Sequence, residues 1–301
     1  MWRIYDYRSG RQVSRWGNST YGCNPVLAEV VQYAERACLQ ARSALFLTSP
    51  NPRVGCVLTS PDGALIGEGH TQQAGEPHAE VMALRDAAAR GHSTIGATAY
   101  VTLEPCAHHG RTGPCCDALI QAGIARVVAS IADPNPLVSG KGFDRLRAAG
   151  VQVDVGPGAA ESRELNIGFF SRMVRKTPWV RMKIAASLDG KTALPDGQSQ
   201  WITGAEARAD GHAWRARACA VLTGIGTVLQ DKPRLDVRLV TTPRQPHLVV
   251  VDSQLETPPD APLFIEGRQV WIYCAKADPV KQAALEARGA QIRMLPGAVP
   301  L

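Results

Sequence analysis

Two short segments restrict this chain more than any other part of it. They are Pro77-His78-Ala79-Glu80-Val81, and Thr102-Leu103-Glu104-Pro105-Cys106 with its continuation Pro114-Cys115-Cys116. Imidazole and thiolate are the ligands Zn²⁺ favours, and a site with three protein ligands leaves a fourth position open for chemistry. The apolar spacing places His78 and Glu80 at the start of a helix, and puts Cys106 and Cys115 between a strand and the next helix. Any fold that uses them together must bring a helix start and a strand-to-helix junction to one point. Glu80 is two residues from His78, so it does not share that side chain's direction on a helix, but it can reach a water beside the metal.

The chemistry these parts support is hydrolytic deamination. Zinc makes water nucleophilic near neutral pH, and that water can attack a ring carbon bearing an exocyclic amine. A carboxylate must then carry the proton to the ring nitrogen and the departing ammonia, and Glu80 is the candidate. The pattern H-x-E…P-C-x-x-C is the signature of zinc deaminases. Here residues 107–114 separate the first thiol from the second instead of two residues, a loop long enough to supply substrate contacts. Cys116 competes with Cys115 for the third ligand, although Cys115 directly follows the proline. A closed structural site is the alternative. It would recruit His108 or His109 as a fourth ligand, but it leaves Glu80 without a purpose.

Eight cysteines with no secretory apolar region ahead of them argue for metal or catalytic use over a disulfide framework, and for a cytoplasmic location. No apolar run is long enough to cross a bilayer as a helix, so no membrane partner is expected. The net charge is +6, of which Arg3, Arg8, Arg11 and Arg15 against Asp6 supply +3 within residues 1–24. The +3 left for the remainder, with aromatics at 6%, does not describe a nucleic-acid groove, so no nucleic-acid partner is expected either. Residues 1–24 show no periodicity and read as a disordered or non-native extension, with an organellar transit peptide as the alternative.

From Pro25 onward the periodicity alternates between helix and strand. It predicts helices over 26–46, 79–90, 116–122 and 143–149, and strands over 54–58, 64–69, 99–103, 126–131 and 151–155. One long helix is expected over 159–175, ending before Thr177-Pro178, where the domain boundary is placed. The pattern then restarts with a strand at 179–185, a helix at 204–217, strands at 220–223, 247–252 and 270–274, a helix at 279–288 and a strand at 290–294. The organisation is a zinc deaminase domain over 25–156, a linking helix over 157–177 and a second domain over 178–301. The fold class is α/β, a sheet flanked by helices in each domain.

The chain resembles the bifunctional deaminase–reductase family of riboflavin biosynthesis over about residues 26–300. The resemblance rests on Pro50-Asn-Pro-Arg-Val-Gly-Cys56, on the two segments above, and on Asp133-Pro-Asn-Pro-Leu-Val-Ser-Gly-Lys-Gly142, Ala186-Ser-Leu-Asp-Gly-Lys191 and Ser199-Gln-Trp-Ile-Thr203. The long spacing between the thiols is that family's own form, with Gly113 standing where its motif usually has a second proline. The resemblance implies a cytidine-deaminase-like three-layer domain followed by a dihydrofolate-reductase-like α/β domain. The first would deaminate 2,5-diamino-6-ribosylamino-4(3H)-pyrimidinone 5′-phosphate, a small phosphorylated pyrimidine. The second would use NADPH to reduce the ribosyl group to a ribityl chain.

Carried onto this chain, the resemblance makes His78, Cys106 and Cys115 the zinc ligands and Glu80 the proton shuttle. Asn51, His70, His108 and Arg111 become deaminase substrate contacts. Ala185, Trp201, Thr227, Asp231 and Ser253 become NADPH contacts, and Ser199, Arg215, Leu235 and Arg238 contacts to the second substrate. Family members continue with a glycine-rich phosphate-binding segment and further strands where this chain stops at Leu301, so an incomplete reductase domain is the expectation. A homo-oligomer is implied by the same likeness. Three other functions compete: a deaminase whose second domain only associates, a deaminase acting on nucleic acid, and a zinc-binding scaffold without turnover.

Overall fold

The computed structural model describes residues 25–295 apart from 109–112, 137 and 277. The reading of residues 1–24 lies outside the described residues.

The first domain is a five-stranded sheet of order β2-β1-β3-β4-β5, with β1 Gly55–Thr59, β2 Leu65–His70, β3 Thr98–Val101, β4 Arg126–Ala129 and β5 Gln152–Val155. β1 runs antiparallel to both of its neighbours, whereas β3, β4 and β5 are parallel. β2 therefore points the same way as β3, and the carboxyl ends of four strands meet the start of β1 at one edge. The predicted hairpin forms around Gly63, whose φ of 86° is a conformation that costs glycine little.

Helices cover both faces of this sheet. α1 (Pro25–Ser43) lies on one face, against Val57 and Tyr100. α2 (Ala79–Ala89), α3 (Cys115–Gln121) and α4 (Lys141–Ala148) pack on the other, against Cys56, Leu58 and Val127. The inner faces of α1 and α2 are alanines, among them Ala37, Ala41, Ala83 and Ala87, all fully buried. The opposing strands answer with glycine. A Cβ on Gly55 would lie 2.0 Å from the Ala37 carbonyl oxygen, and Cβ atoms on Gly67 and Gly69 would lie 2.5 Å and 2.6 Å from the Ala83 backbone. Gly55→Ala is accordingly expected to cost about 3 kcal/mol, the upper range for overpacking, and a urea titration against the unaltered protein checks it.

The helix expected over 159–175 is interrupted. α5 (Ala159–Leu165) stops at Asn166, whose φ of −114° is not helical, and α6 (Ile167–Phe170) is followed by a wider turn over Ser171–Arg175. The reason is a tertiary clamp. The buried Asn166 amide accepts from the Arg53 N–H at 2.7 Å and donates to the Arg53 carbonyl at 2.9 Å. Periodicity sees only the apolar stripe and not this competing bond.

The strand expected over 179–185 is also absent. Val180 and Met182 are each 80% exposed, and no strand pairs with this stretch among the described residues. Alternating apolar residues favour a pleated surface but need a neighbouring strand to satisfy the backbone.

The second domain follows with α7 (Ala205–Arg217) and a parallel sheet of order β6-β7-β8-β9: β6 Ala220–Gly224, β7 His247–Val251, β8 Val270–Cys274 and β9 Ala290–Met294. α8 (Ile225–Asp231) and α9 (Pro279–Glu286) complete it. Its core gathers Val228, Leu248, Val250, Leu263, Ile272 and Leu285. Arg53 links the two domains by donating from Nη2 to the Arg217 carbonyl at 2.9 Å, and Arg217 donates back to the Glu164 carbonyl at 2.8 Å.

Candidate zinc and cofactor sites

The edge where the strand ends of the first sheet converge carries the site. Gly55 and His70 are register partners, so the loop holding Asn51 and the end of β2 lie side by side. Val101 pairs with Ala129, which places the turns toward Cys106 and Asp133 at the same edge. His78 caps the start of α2 with extended backbone, and Cys115 is the first residue of α3. The two helix starts and the β3 turn meet as the spacing requires.

His78 Nδ1 lies 3.2 Å from Cys115 Sγ and 3.7 Å from Cys106 Sγ, and the three ligand atoms all fall within 4.8 Å of one another. Tetrahedral zinc with ordinary bond lengths separates a nitrogen and a sulfur ligand by about 3.5 Å, so this donor set fits the ion in both geometry and chemistry. The Cys115 N–H donates to Cys106 Sγ at 3.4 Å. The hydrogen bond between the two thiols, ahead of the one from His78, pulls Cys106 down to about 4. The same contact pushes Cys115 up, and the hydrogen bond to Cys106 raises His78.

Cys116 is oriented elsewhere. Its fully buried thiol donates to the Pro105 carbonyl at 3.2 Å and the Gly142 carbonyl at 3.5 Å, and burial pushes it up to about 12. Glu80 is 3% exposed in the first turn of α2, within hydrogen-bonding reach of Cys115. Burial and then the neighbouring Cys106 thiolate raise its carboxyl, which suits a group that must hold and release a proton.

Of the remaining deaminase positions, Asn51 and His70 are half-buried at the same strand edge, and burial lowers His70. His108 is exposed, and Arg111 lies outside the described residues. Two further acids are buried at this edge, and neither is among the expected site residues. Asp133 is 7% exposed, accepts from the Asn135 N–H at 2.7 Å, and is pushed up to about 6 by burial. Glu104 is 3% exposed and, among the described residues, accepts from four backbone N–H groups.

In the second domain the expected positions fall into three places. Thr227 and Asp231 lie on α8 and Ser253 just after β7, at or beyond the carboxyl edge of the parallel sheet, where open α/β sheets take nucleotide ligands. Gly224 and Gly226 open this edge, and a Cβ on either would meet nothing within 4 Å. Ala185, Ser199 and Trp201 lie on the irregular stretch ahead of α7, where Trp201 is 66% exposed and stacks beneath the Arg208 guanidinium at 4.3 Å. Arg215, Leu235 and Arg238 are drawn together around Asp236. Arg215 donates to the Asp236 carbonyl at 2.8 Å, Arg238 to its carboxylate at 2.6 Å, and Arg268 to the Leu235 carbonyl at 2.8 Å. Sequence reasoning misses Asp236, and also His212, whose Nδ1 accepts from the Arg238 N–H at 3.3 Å. The bonds that place them come from a distance: Arg215 on α7 is 21 positions from Asp236, and His212 is 26 positions from Arg238.

Comparison with known proteins finds a match in each part of the chain. The family described as the cytidine and deoxycytidylate deaminase zinc-binding region matches residues 28–131, and the RibD C-terminal domain matches residues 178–292. The riboflavin biosynthesis protein RibD of Escherichia coli is 48% identical over 258 residues, covering 82% of this chain and 69% of that protein. The Aquifex aeolicus protein of the same name is 45% identical over 265 residues, covering 88% and 73% respectively. Among solved structures, Acinetobacter baumannii RibD superposes with a TM-score of 0.75 at 40% identity, covering 90% of this chain and 82% of that one. The Thermotoga maritima diaminohydroxyphosphoribosylaminopyrimidine deaminase/5-amino-6-(5-phosphoribosylamino)uracil reductase gives 0.78 at 35%, covering 90% and 81%. With a zinc-binding deaminase domain ahead of a RibD-type reductase domain, and this identity over most of its length, the chain belongs to the RibD family of riboflavin biosynthesis, enzymes that join a zinc-dependent deaminase to an NADPH-dependent reductase.

Proposed function

We propose that residues 25–156 deaminate 2,5-diamino-6-ribosylamino-4(3H)-pyrimidinone 5′-phosphate, and that residues 178–301 reduce the ribosyl group of the product, with 157–177 as the link. The observation that carries this reading is the triangle of His78 Nδ1, Cys106 Sγ and Cys115 Sγ beside the buried carboxyl of Glu80. Zinc held by these three ligands supplies Lewis acidity and a water made nucleophilic near neutral pH. Glu80 takes one proton of the attacking water and delivers it to the ring nitrogen, then carries the remaining hydroxyl proton to the leaving amine, so that water and substrate become a carbonyl and ammonia. Asn51, His70, His108 and Arg111 hold the substrate, and Arg111 is suited to its phosphate.

In the second domain Ala185, Trp201, Thr227, Asp231 and Ser253 hold NADPH, which supplies the hydride. Ser199, Arg215, Leu235 and Arg238 hold the ribosyl phosphate. Among these, Arg215 and Arg238 offer guanidinium groups already oriented by Asp236. The family likeness supports a cytoplasmic homo-oligomer acting on a small molecule.

A product assay by mass spectrometry tests the reading. Zinc-loaded protein given the diaminopyrimidinone ribosyl phosphate is expected to release the deaminated product with or without NADPH, and the ribityl product only with it. No deamination by folded, zinc-loaded protein overturns the proposal.

A further inference from the structure

We infer that Glu104 is a positioning residue for the metal site, tying the Asp133–Phe143 segment to the turn that carries Cys106 and so fixing where the Cys106 thiolate points. The inference rests on the zinc-ligand reading proposed above. It starts from an electrostatic anomaly. The Glu104 side chain is buried, and no Lys, Arg or His forms an ion pair with it among the described residues. A buried carboxylate must be compensated, and here four backbone N–H groups do it. Oε2 accepts from Asp133 and Gly140, each at 3.1 Å, and Oε1 accepts from Gly142 at 3.0 Å and Phe143 at 3.4 Å. A carboxylate offers about four lone-pair sites, so its accepting capacity is filled by one loop.

That loop in turn lies on the peptide just before Cys106. A Cβ on Gly142 would come within 2.0 Å of the Pro105 carbonyl oxygen, so only glycine permits the approach. The Cys116 thiol bridges the same two carbonyls, and the Cys116 N–H donates to the Cys106 carbonyl at 3.2 Å. On the other side of Glu104, its own N–H donates to the Ile131 carbonyl at 3.0 Å. The peptides flanking Cys106 are therefore held by the loop and by α3, and Glu104 is the member that holds the loop. Outer residues that orient a metal ligand change metal affinity or activity by about 10- to 100-fold when replaced.

The test uses the full chain loaded with zinc, and Glu104→Gln as the variant. The amide replaces one accepting oxygen with an N–H₂ group facing backbone N–H donors. Zinc release to an excess of a chromogenic chelator is expected to be about 10- to 100-fold faster than from the unaltered protein. The cobalt-substituted variant is expected to show displaced d–d absorption bands, a signature of ligand geometry that a general loss of stability does not produce. Glu104→Asp keeps the charge and is expected to release zinc at an intermediate rate. Gly142→Ala, which pushes the same peptide from the other side, is expected to accelerate release as well.

Unchanged zinc release and an unchanged cobalt spectrum in folded Glu104→Gln overturn the inference. So does failure of both Glu104 variants to fold, because Glu104 would then serve the fold and not the metal. His78→Ala is the control for the reading beneath it. If that variant also keeps its zinc, the ligand assignment has failed; if it loses zinc while Glu104→Gln keeps it, only the role of Glu104 has.

Discussion

Glu80→Gln is expected to leave zinc bound and the fold intact while deaminase turnover falls by roughly 10²- to 10⁴-fold, the range associated with a positioned acid–base group. The change is nearly isosteric, and Glu80 is not one of the three ligand residues that approach one another. What the amide cannot do is accept the proton of the attacking water. Glu80 is fit for that task because it is buried in the first turn of α2 against Cys115, where its proton is shared with the reacting groups and not with bulk solvent. Two measurements on one preparation check it: zinc content by metal analysis and kcat by ammonia release. Retained turnover with retained zinc would remove Glu80 from the mechanism. Loss of both would make it a ligand or a structural group.

The second large effect separates two adjacent thiols. Cys115→Ser is expected to lose zinc and all deaminase turnover, because it removes one corner of a three-ligand site. Cys116→Ala is expected to keep zinc in full stoichiometry, with stability lowered by about 1 kcal/mol through the loss of two buried contacts to carbonyl groups. Metal analysis and a thermal melt on both variants check the pair. The reverse pattern, zinc lost only from the Cys116 variant, would exchange the two assignments.

Much of the first domain is legible from local pattern. The hairpin around Pro61-Asp-Gly63, α2 behind His78 and α3 behind Pro114 follow from turn residues and apolar spacing, and each lies within two residues of its expected bounds. The parallel strands β7 and β8 read equally well as elements, but they bury alternate residues only, with Leu248 and Val250 inside and Val251 40% exposed. The expectation fails where local pattern competes with distant partners. The stripe over 159–175 is helical by periodicity, yet Asn166 leaves the helix to bond the backbone of Arg53, 113 positions away. The stretch 179–185 alternates as a strand would, but lies without a ladder.

The metal site divides along the same line. Sequence alone determines that His78, Glu80 and two cysteines stand at helix starts and after a strand, because capping, turn chemistry and periodicity act over a few residues. It also determines the zinc chemistry, which follows from residue type and spacing. Only the tertiary structure decides that Cys115 and not Cys116 faces His78, since consecutive residues at a helix start point in different directions and the packing of α3 against the Gly142 loop selects between them. Only it brings Glu104 onto N–H groups 29 to 39 positions away and the Asp236 carbonyl onto Arg215, 21 positions away. These are hydrogen bonds between elements that meet when the chain closes, and a bond to a distant backbone N–H leaves no period, cap or turn in the residues on either side of it.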